Sequence, residues 1–240
     1  RGRTRLEVYY GVPTAGLSAS GDGRGRLKRG ISLFDTDWQP LLQKVAPLLY
    51  RVEENPEPGT IVIDQVDLNL RPGRYYLGVQ VEDPVTGRIG VYRREIFVKD
   101  YDTDSLMISD VEFAGRVIED TTQTRKGGLN IIPLPSRTYG SSRNVLVYYE
   151  VYGLTSDEFG QTHYRVDYRI APHSRGRPVV RVLRSLGRLL GQEQGEFVTI
   201  SFEQTGESES ESSYLEVDVS GAEGQHDLEI SVTDLVSGST

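Results

Sequence analysis

The 240-residue chain has 27 Lys and Arg against 35 Asp and Glu, a formal net charge of -8, and no cysteine. An acidic surface repels a polyanion, which argues against general nucleic-acid binding. The missing cysteines exclude disulfides, thiolate metal sites and a cysteine nucleophile. No apolar run approaches the ~20 residues of a membrane-spanning helix.

The opening RGRTR is basic, but no apolar segment follows it, so it does not read as a signal peptide. A chain that opens on Arg1 reads as a processed product or a fragment. Short runs of Val, Ile, Leu and Tyr, broken by Gly, Pro, Asp and Ser, then predict strands and turns throughout. In a first module, residues 1–99, strands are expected near 5–12, 26–34, 41–52, 60–69, 74–82 and 89–98. The Gly-rich SGDGRGR (Ser20–Arg26) between the first two reads as a turn. It lacks the Lys-Ser/Thr of a phosphate-binding loop.

KDYDTDS (Lys99–Ser105) is polar and acidic, and residues 100–105 are expected to link the modules. In the second module, 106–240, strands are expected near 107–117, 144–153, 162–171, 178–184, 196–203, 213–219 and 226–234. RPVVRVLRSLGRLLG places Arg181, Arg184 and Arg188 on one side of a possible amphipathic helix. We read it instead as a strand followed by loop. GESESESSY (Gly206–Tyr214) alternates charge and Ser without an apolar face and reads as a mobile hairpin loop.

The modules echo one another. Placing Gly73 on Gly224, an offset of 224 − 73 = 151, superposes Val66–Gly87 on Val217–Gly238. Identities fall at Val66/Val217, Leu77/Leu228, Val81/Val232, Asp83/Asp234 and Gly87/Gly238, among others. Upstream, LEVYYGV (Leu6–Val12) resembles VLVYYEV (Val145–Val151) at an offset of 147 − 8 = 139. Two related modules follow, each with turn signals between short strands and no helix–strand alternation. The expected fold is all-β: two tandem antiparallel β-sandwiches of immunoglobulin or fibronectin III character. After Asp83–Gly87 the first module continues into a strand at Arg88–Val98, whereas the second reaches Asp234–Gly238 and ends at Thr240. The second module is therefore expected to lack its last strand, leaving Asp227–Thr233 without a partner on one side.

Three segments of the second module, NIIPLPSRTYG, VLVYYEVYGLTSDEFGQTHYRVDYRI and FVTISFEQTGESESESSYLEVDVSGAEGQHDLEISVTDLVSG, resemble the C-terminal part of bacterial GWxTD domain-containing proteins. RGISLFDTDW and the first hairpin resemble it more loosely. The naming motif Gly-Trp-x-Thr-Asp is not in this chain, whose single Trp, Trp38, lies in TDWQ. The resemblance implies an exported bacterial protein, periplasmic or envelope-associated, whose defining domain lies upstream. It carries over no functional residue.

Asp100, Asp102 and Asp104 could supply several of the six to eight oxygens that calcium takes, and Asp35 and Asp37 form a second acidic pair; both also read as ordinary acidic turns. The tyrosine pairs Tyr9/Tyr10, Tyr75/Tyr76 and Tyr148/Tyr149 put one ring on each face of a strand. Tyr9, Tyr76 and Tyr149, with Trp38, are candidate exposed aromatics for a sugar or a protein partner. His163, His173 and His226 lie on separate elements without zinc-site spacing. No catalytic residue is assigned. The reading is a non-catalytic scaffold or protein-interaction chain, bound to another protein or to an upstream domain of its own polypeptide. The alternatives are a carbohydrate-binding module or an accessory domain of an enzyme.

Overall fold

Strands make up most of the described residues, and the one helical element among them is a single 3-10 turn, against about a third helix in an average globular protein. The fold is all-β. The computed structural model describes every residue except 1, 19–22, 52–58, 120–124, 141–143, 174–180, 186–187, 195–196 and 220–223. Most of the SGDGRGR turn lies outside the described residues. The chain divides into two compact units, Arg1–Asp102 and Thr103–Thr240.

The first unit contains β1 (Thr4–Pro13), β2 (Arg24–Phe34), β3 (Pro40–Arg51), β4 (Ile61–Leu70), β5 (Gly73–Glu82) and β6 (Ile89–Val98). β1 and β4 form a two-stranded antiparallel sheet, and the other four form a sheet in the order β3-β2-β5-β6. Alternate residues carry the core, as the strand period requires. Ile31 and Leu33 of β2 with Leu77 and Val79 of β5 pack against Leu68 of β4 and Leu6 and Val8 of β1. The two sheets therefore face each other as a sandwich, and the opposite face of the four-stranded sheet is left outside the core.

The second unit contains β7 (Met107–Ile108), β8 (Glu112–Glu119), a 3-10 turn (Arg125–Gly128), β9 (Leu129–Pro133), β10 (Val145–Tyr152), β11 (Thr162–Pro172), β12 (Arg181–Ser185), β13 (Arg188–Gln194), β14 (Phe197–Gly206), β15 (Ser210–Asp218) and β16 (His226–Asp234). One sheet runs β12-β15-β10-β8-β9, with β7 also pairing β10; the other runs β13-β14-β11-β16. Their shared core holds Val147, Tyr149 and Val151 of β10, Tyr164, Val166 and Tyr168 of β11, Phe202 of β14 and Leu215 of β15.

Several expectations need correction here. The segment after β12 is a second strand, β13, where a loop was expected; it pairs with β14 from Arg188↔Glu203 to Gln194↔Phe197. GESESESSY is not a mobile loop. Only residues 207–209 separate β14 from β15, and from Ser210 the segment alternates inward and outward. Ser213 serves as an inward residue because its hydroxyl accepts a bond from the Tyr149 hydroxyl at 3.1 Å. β9 is a strand beyond those expected; it ends at Pro133, where, at the end of an edge strand, a proline removes no ladder bond that the sheet needs.

The repeat holds at the level of register. Leu33 lies opposite Leu77, and Ile170 lies opposite Leu228. Likewise Val8 lies opposite Val66, and Val145 opposite Val217. With the later partner shifted by 151 in both cases, the earlier partner shifts by 170 − 33 = 145 − 8 = 137. The Val-Tyr-Tyr echo at 139 is thus two residues out of structural register. A shift of two preserves the face of a strand, which is why the echo still looked right. β16 pairs only with β11 among the described residues, whereas β5 pairs with both β2 and β6.

Candidate functional site

Antiparallel partners directly opposite each other share a face, so register maps the outer surface of the four-stranded sheet. Its rows, read from β3 to β6, are Gln43–Ser32–Gly78–Arg93, Val45–Gly30–Gln80–Val91 and Pro47–Lys28–Glu82–Ile89. The central strands thus present Gly30, Ser32 and Gly78 as a low floor. The flanking strands raise apolar side chains beside it. Val45 is 67% exposed, Leu49 74%, and Val91, Ile89 and Phe97 are also exposed.

One end of this face is aromatic. Phe34 lies opposite Tyr76, and the β2–β3 loop brings Trp38 over them. Trp38 stacks on Tyr76 with ring centroids 4.2 Å apart and planes 3° from parallel, while Phe34 sits tilted at 6.2 Å. Trp38 remains 63% exposed. The loop itself is built by Asp35, whose Oδ1 accepts the amides of Asp37 at 3.0 Å and Gln39 at 2.8 Å.

The second unit contains the same loop at Asp157–Gln161. There Asp157 Oδ1 accepts the amides of Phe159 and Gln161, and Gly160 donates to the Asp157 carbonyl as Trp38 donates to that of Asp35. Gly160 has φ 78° and Trp38 has φ 62°. The position demands a left-handed backbone, which glycine adopts freely and an L-residue adopts at a cost of roughly 1–2 kcal/mol. A large aromatic at that position is strained, exposed and held by ring stacking.

Charge on the strands of this face is biased. Arg24, Arg26, Lys28, Arg51, Arg74 and Arg93 stand against Glu82 and Glu95, in a chain whose net charge is -8. Lys28 pairs with Glu82 and Arg74 with Glu95, both at 3.4 Å. Asp35 and Asp37 keep the aromatic end acidic, and four of the six basic residues, Arg24, Arg26, Lys28 and Arg51, gather at the far end around the start of β2.

The remaining candidates disperse. Tyr9 is half-buried on β1, on the face away from the core side chains of Val8 and Tyr10. Tyr149 is not an exposed aromatic. It is fully buried, its hydroxyl bonded to those of Tyr168 and Ser213, and burial foremost, then the neighbouring Tyr168, pushes its pKa well up. Tyr148 lies on the opposite face of β10 and is buried as well, packed with Ala114, Leu129 and Ile131, so neither ring of this pair is exposed.

Asp100, Asp102 and Asp104 do not converge on a calcium site; among the described residues no group of three acidic or imidazole side chains is placed to hold a metal ion. Asp100 Oδ1 accepts the Asp102 amide at 3.2 Å, and Asp102 Oδ2 accepts the Gly2 amide at 3.1 Å. These carboxylates shape backbone. His163 lies 3.0 Å from Asp157, and His173 lies 3.0 Å from Asp227.

The sequence singled out Trp38 and Tyr76 but missed Val45, Leu49, Val91 and Phe97. β3 and β6 carry apolar residues on both faces, a pattern indistinguishable in sequence from a strand buried on both sides. Neither a protein-family model nor a curated protein matches this chain.

Proposed function

We propose that the first unit is a non-catalytic protein-binding module and that the outer face of the sheet β3-β2-β5-β6 receives its partner. Trp38 carries the reading. An exposed tryptophan in a left-handed position that the sister loop gives to glycine is a strained group awaiting a contact. Tryptophan and arginine are enriched among the residues that dominate binding energy. The exposed apolar rows on β3 and β6 extend the surface beyond the few isolated apolar residues normal for a monomer. Six basic side chains on the strands define the partner as an acidic protein surface with apolar residues at its centre.

We read the two units as tandem immunoglobulin-like modules of an exported bacterial protein. The common 137-residue register shift and the paired Asp loops support the first part, and the resemblance to GWxTD domain-containing proteins supports the second. A carbohydrate platform is the second reading, favoured by the parallel Trp38–Tyr76 stack, whose outer ring face could lie on a sugar ring.

The test immobilises the full chain and compares it with Trp38→Gly and with Val45→Lys/Val91→Lys. Trp38→Gly removes the ring while placing glycine where the backbone favours it, so folding stability should stay within about 1 kcal/mol of the parent. A partner retained by the parent, lost by both variants and weakened by salt is expected. Retention by the variants would overturn the assignment. Binding to a glycan array that depends on Trp38, with no dependence on Val45 and Val91, would replace it with the carbohydrate reading.

A further inference from the structure

At one end of the second unit the two sheets part around a cleft of about 600 Å³, within the ~300–1,000 Å³ typical of small-molecule sites. One wall comes from Phe113 of β8, Val145 and Val147 of β10 and Val217 of β15; the other comes from Ile170 of β11 and Leu228 of β16. The interior is an apolar groove: Val147, Val217 and Ile170 form a buried floor, and Phe113, Val145 and Leu228 are half-buried above it. Its mouth is polar, ringed by the turn Ser136–Tyr139 and by the segment Gly224–Asp227, with His173 beside them.

Among the described residues that line the cleft, Arg137 is the one Lys or Arg. His173 Nδ1 lies 3.0 Å from Asp227 Oδ2 and occupies that carboxylate. Arg137 forms no ion pair with a described carboxylate, and its guanidinium carbon lies 5.6 Å from the centre of the Phe113 ring, which is itself part of the wall. Its backbone is left-handed, φ 50°, in a turn closed by its amide bonding to the Leu134 carbonyl at 3.0 Å. Tyr139 ties the same turn down, its hydroxyl donating to the carbonyls of Ala114 at 2.9 Å or Leu146 at 3.1 Å. An arginine is thus held in a conformation unusual for its type, at the lip of an apolar opening, over an aromatic wall.

We propose that this cleft binds a linear amphiphile with a single anionic head, such as a fatty acid, its chain between the sheets and its carboxylate on Arg137. The apolar walls match a methylene chain, whose burial contributes about 0.8 kcal/mol per CH₂. The planar guanidinium matches a carboxylate. A single guanidinium with the Asp227 carboxylate at the same mouth favours one negative charge over two.

The test titrates dodecanoate, below its micelle concentration, into the full chain, followed by calorimetry and by methyl NMR of Val, Ile and Leu. Saturable one-to-one binding is expected, with shifts at Val147, Ile170, Val217 and Leu228. Butyrate should bind at least tenfold more weakly. Arg137→Gln should weaken dodecanoate about tenfold, the loss of one charge-assisted contact at a solvated mouth. Arg137→Lys should recover most of that loss, and dodecanol should bind all three proteins alike. Absence of saturation, methyl shifts confined to the first unit, or equal affinity of Arg137→Gln and the parent would each overturn the proposal.

Discussion

Asp234→Asn tests the account of how the paired turns are held. Asp234 is 1% exposed. Its Oδ1 accepts the amides of Val236 at 2.9 Å and Ser237 at 3.2 Å, and its Oδ2 accepts the Thr155 amide at 2.9 Å and the Ser237 hydroxyl at 2.8 Å. Burial alone would raise its pKa, but these donors outweigh burial and hold it down to about 2. Asparagine keeps an acceptor toward Val236 and Ser237 and turns an NH₂ toward Thr155 and the hydroxyl. Charge-assisted bonds contribute about 1.5–3 kcal/mol each. The Ser237 hydroxyl can rotate to a new partner, so the expected net loss is about 2 kcal/mol, or roughly 5–10 °C in the melting temperature of a unit this size.

The pH dependence supplies the sharper check. A carboxylate whose folded pKa is about 2 and whose unfolded pKa is ~3.9 stabilises fully above pH ~4, and that stability is lost as pH falls through about 2. The gap between parent and variant, measured by far-UV circular dichroism on heating, should therefore close across that window. Asp83 holds the matching turn in the first unit through the amides of Ser18, Val85 and Thr86, and its pKa is likewise held at about 2 against the effect of burial. Asp83→Asn should move the transition reported by Trp38, and Asp234→Asn should not. A gap that persists undiminished at pH 2 would show that the charge is not what anchors the turn.

Three further outcomes are expected. Tyr149→Phe should cost about 1–2 kcal/mol in urea unfolding, because it strips the Tyr168 and Ser213 hydroxyls of a partner inside the core. Gly153→Ala should cost about 3 kcal/mol or more, since φ is 70° and the new Cβ would lie 2.2 Å from the Ser105 carbonyl oxygen, whereas Gly160→Ala, with open space around it, should cost only the ~1–2 kcal/mol of the left-handed backbone. Millimolar calcium should leave the melting temperature unchanged; a rise abolished by Asp102→Asn with Asp104→Asn would restore the acidic segment as a metal site.

Period-two alternation and turn residues made most strands legible, and the Asp-to-Gly repeat exposed a turn whose bonds are the same in both units. Asp83 and Asp234 each donate their own amide across the turn and accept that of the glycine four residues on, Gly87 or Gly238, at 2.8 Å. Such local chemistry is written in the residues that perform it. Which face of a strand is covered is not local. Tyr148 and Tyr149 are adjacent and chemically identical, yet both are buried, Tyr149 between the sheets and Tyr148 on the other face against Ala114, Leu129 and Ile131, which alternation alone does not foretell. The cleft was equally invisible, because its walls come from β8, β10, β11, β15 and β16 and no two wall strands hold a recognisable motif together.

The departures between the units show where surfaces for binding can arise. Both units build a four-stranded sheet around equivalent centres, β2-β5 and β11-β16, fixed by the same register. In the second unit the opposing sheet is wide, and the inner faces of β11 and β14 are buried from Tyr164 to Ile170 and from Val198 to Phe202. In the first unit the opposing sheet has two strands, β1 and β4. Two strands spaced ~4.8 Å apart cannot cover four, so Tyr92 and Arg94, opposite the core residues Val79 and Leu77, remain exposed on the inner side of β6. The first part of β6, from Ile89 to Arg94, is thus uncovered on both faces, while Ile96 and Val98 still reach the core, and one edge of the strand is unpaired among the described residues. A strand of that kind invites association unless it is occupied or protected, and Arg93, Arg94 and Glu95 at its centre supply protection by charge. The surface they leave open, from Val91 across Gly30 to Val45, lies on the same sheet face as the Trp38–Tyr76 stack at its end. The same shortage of cover that makes the first unit's sheet a liability makes it available to a partner.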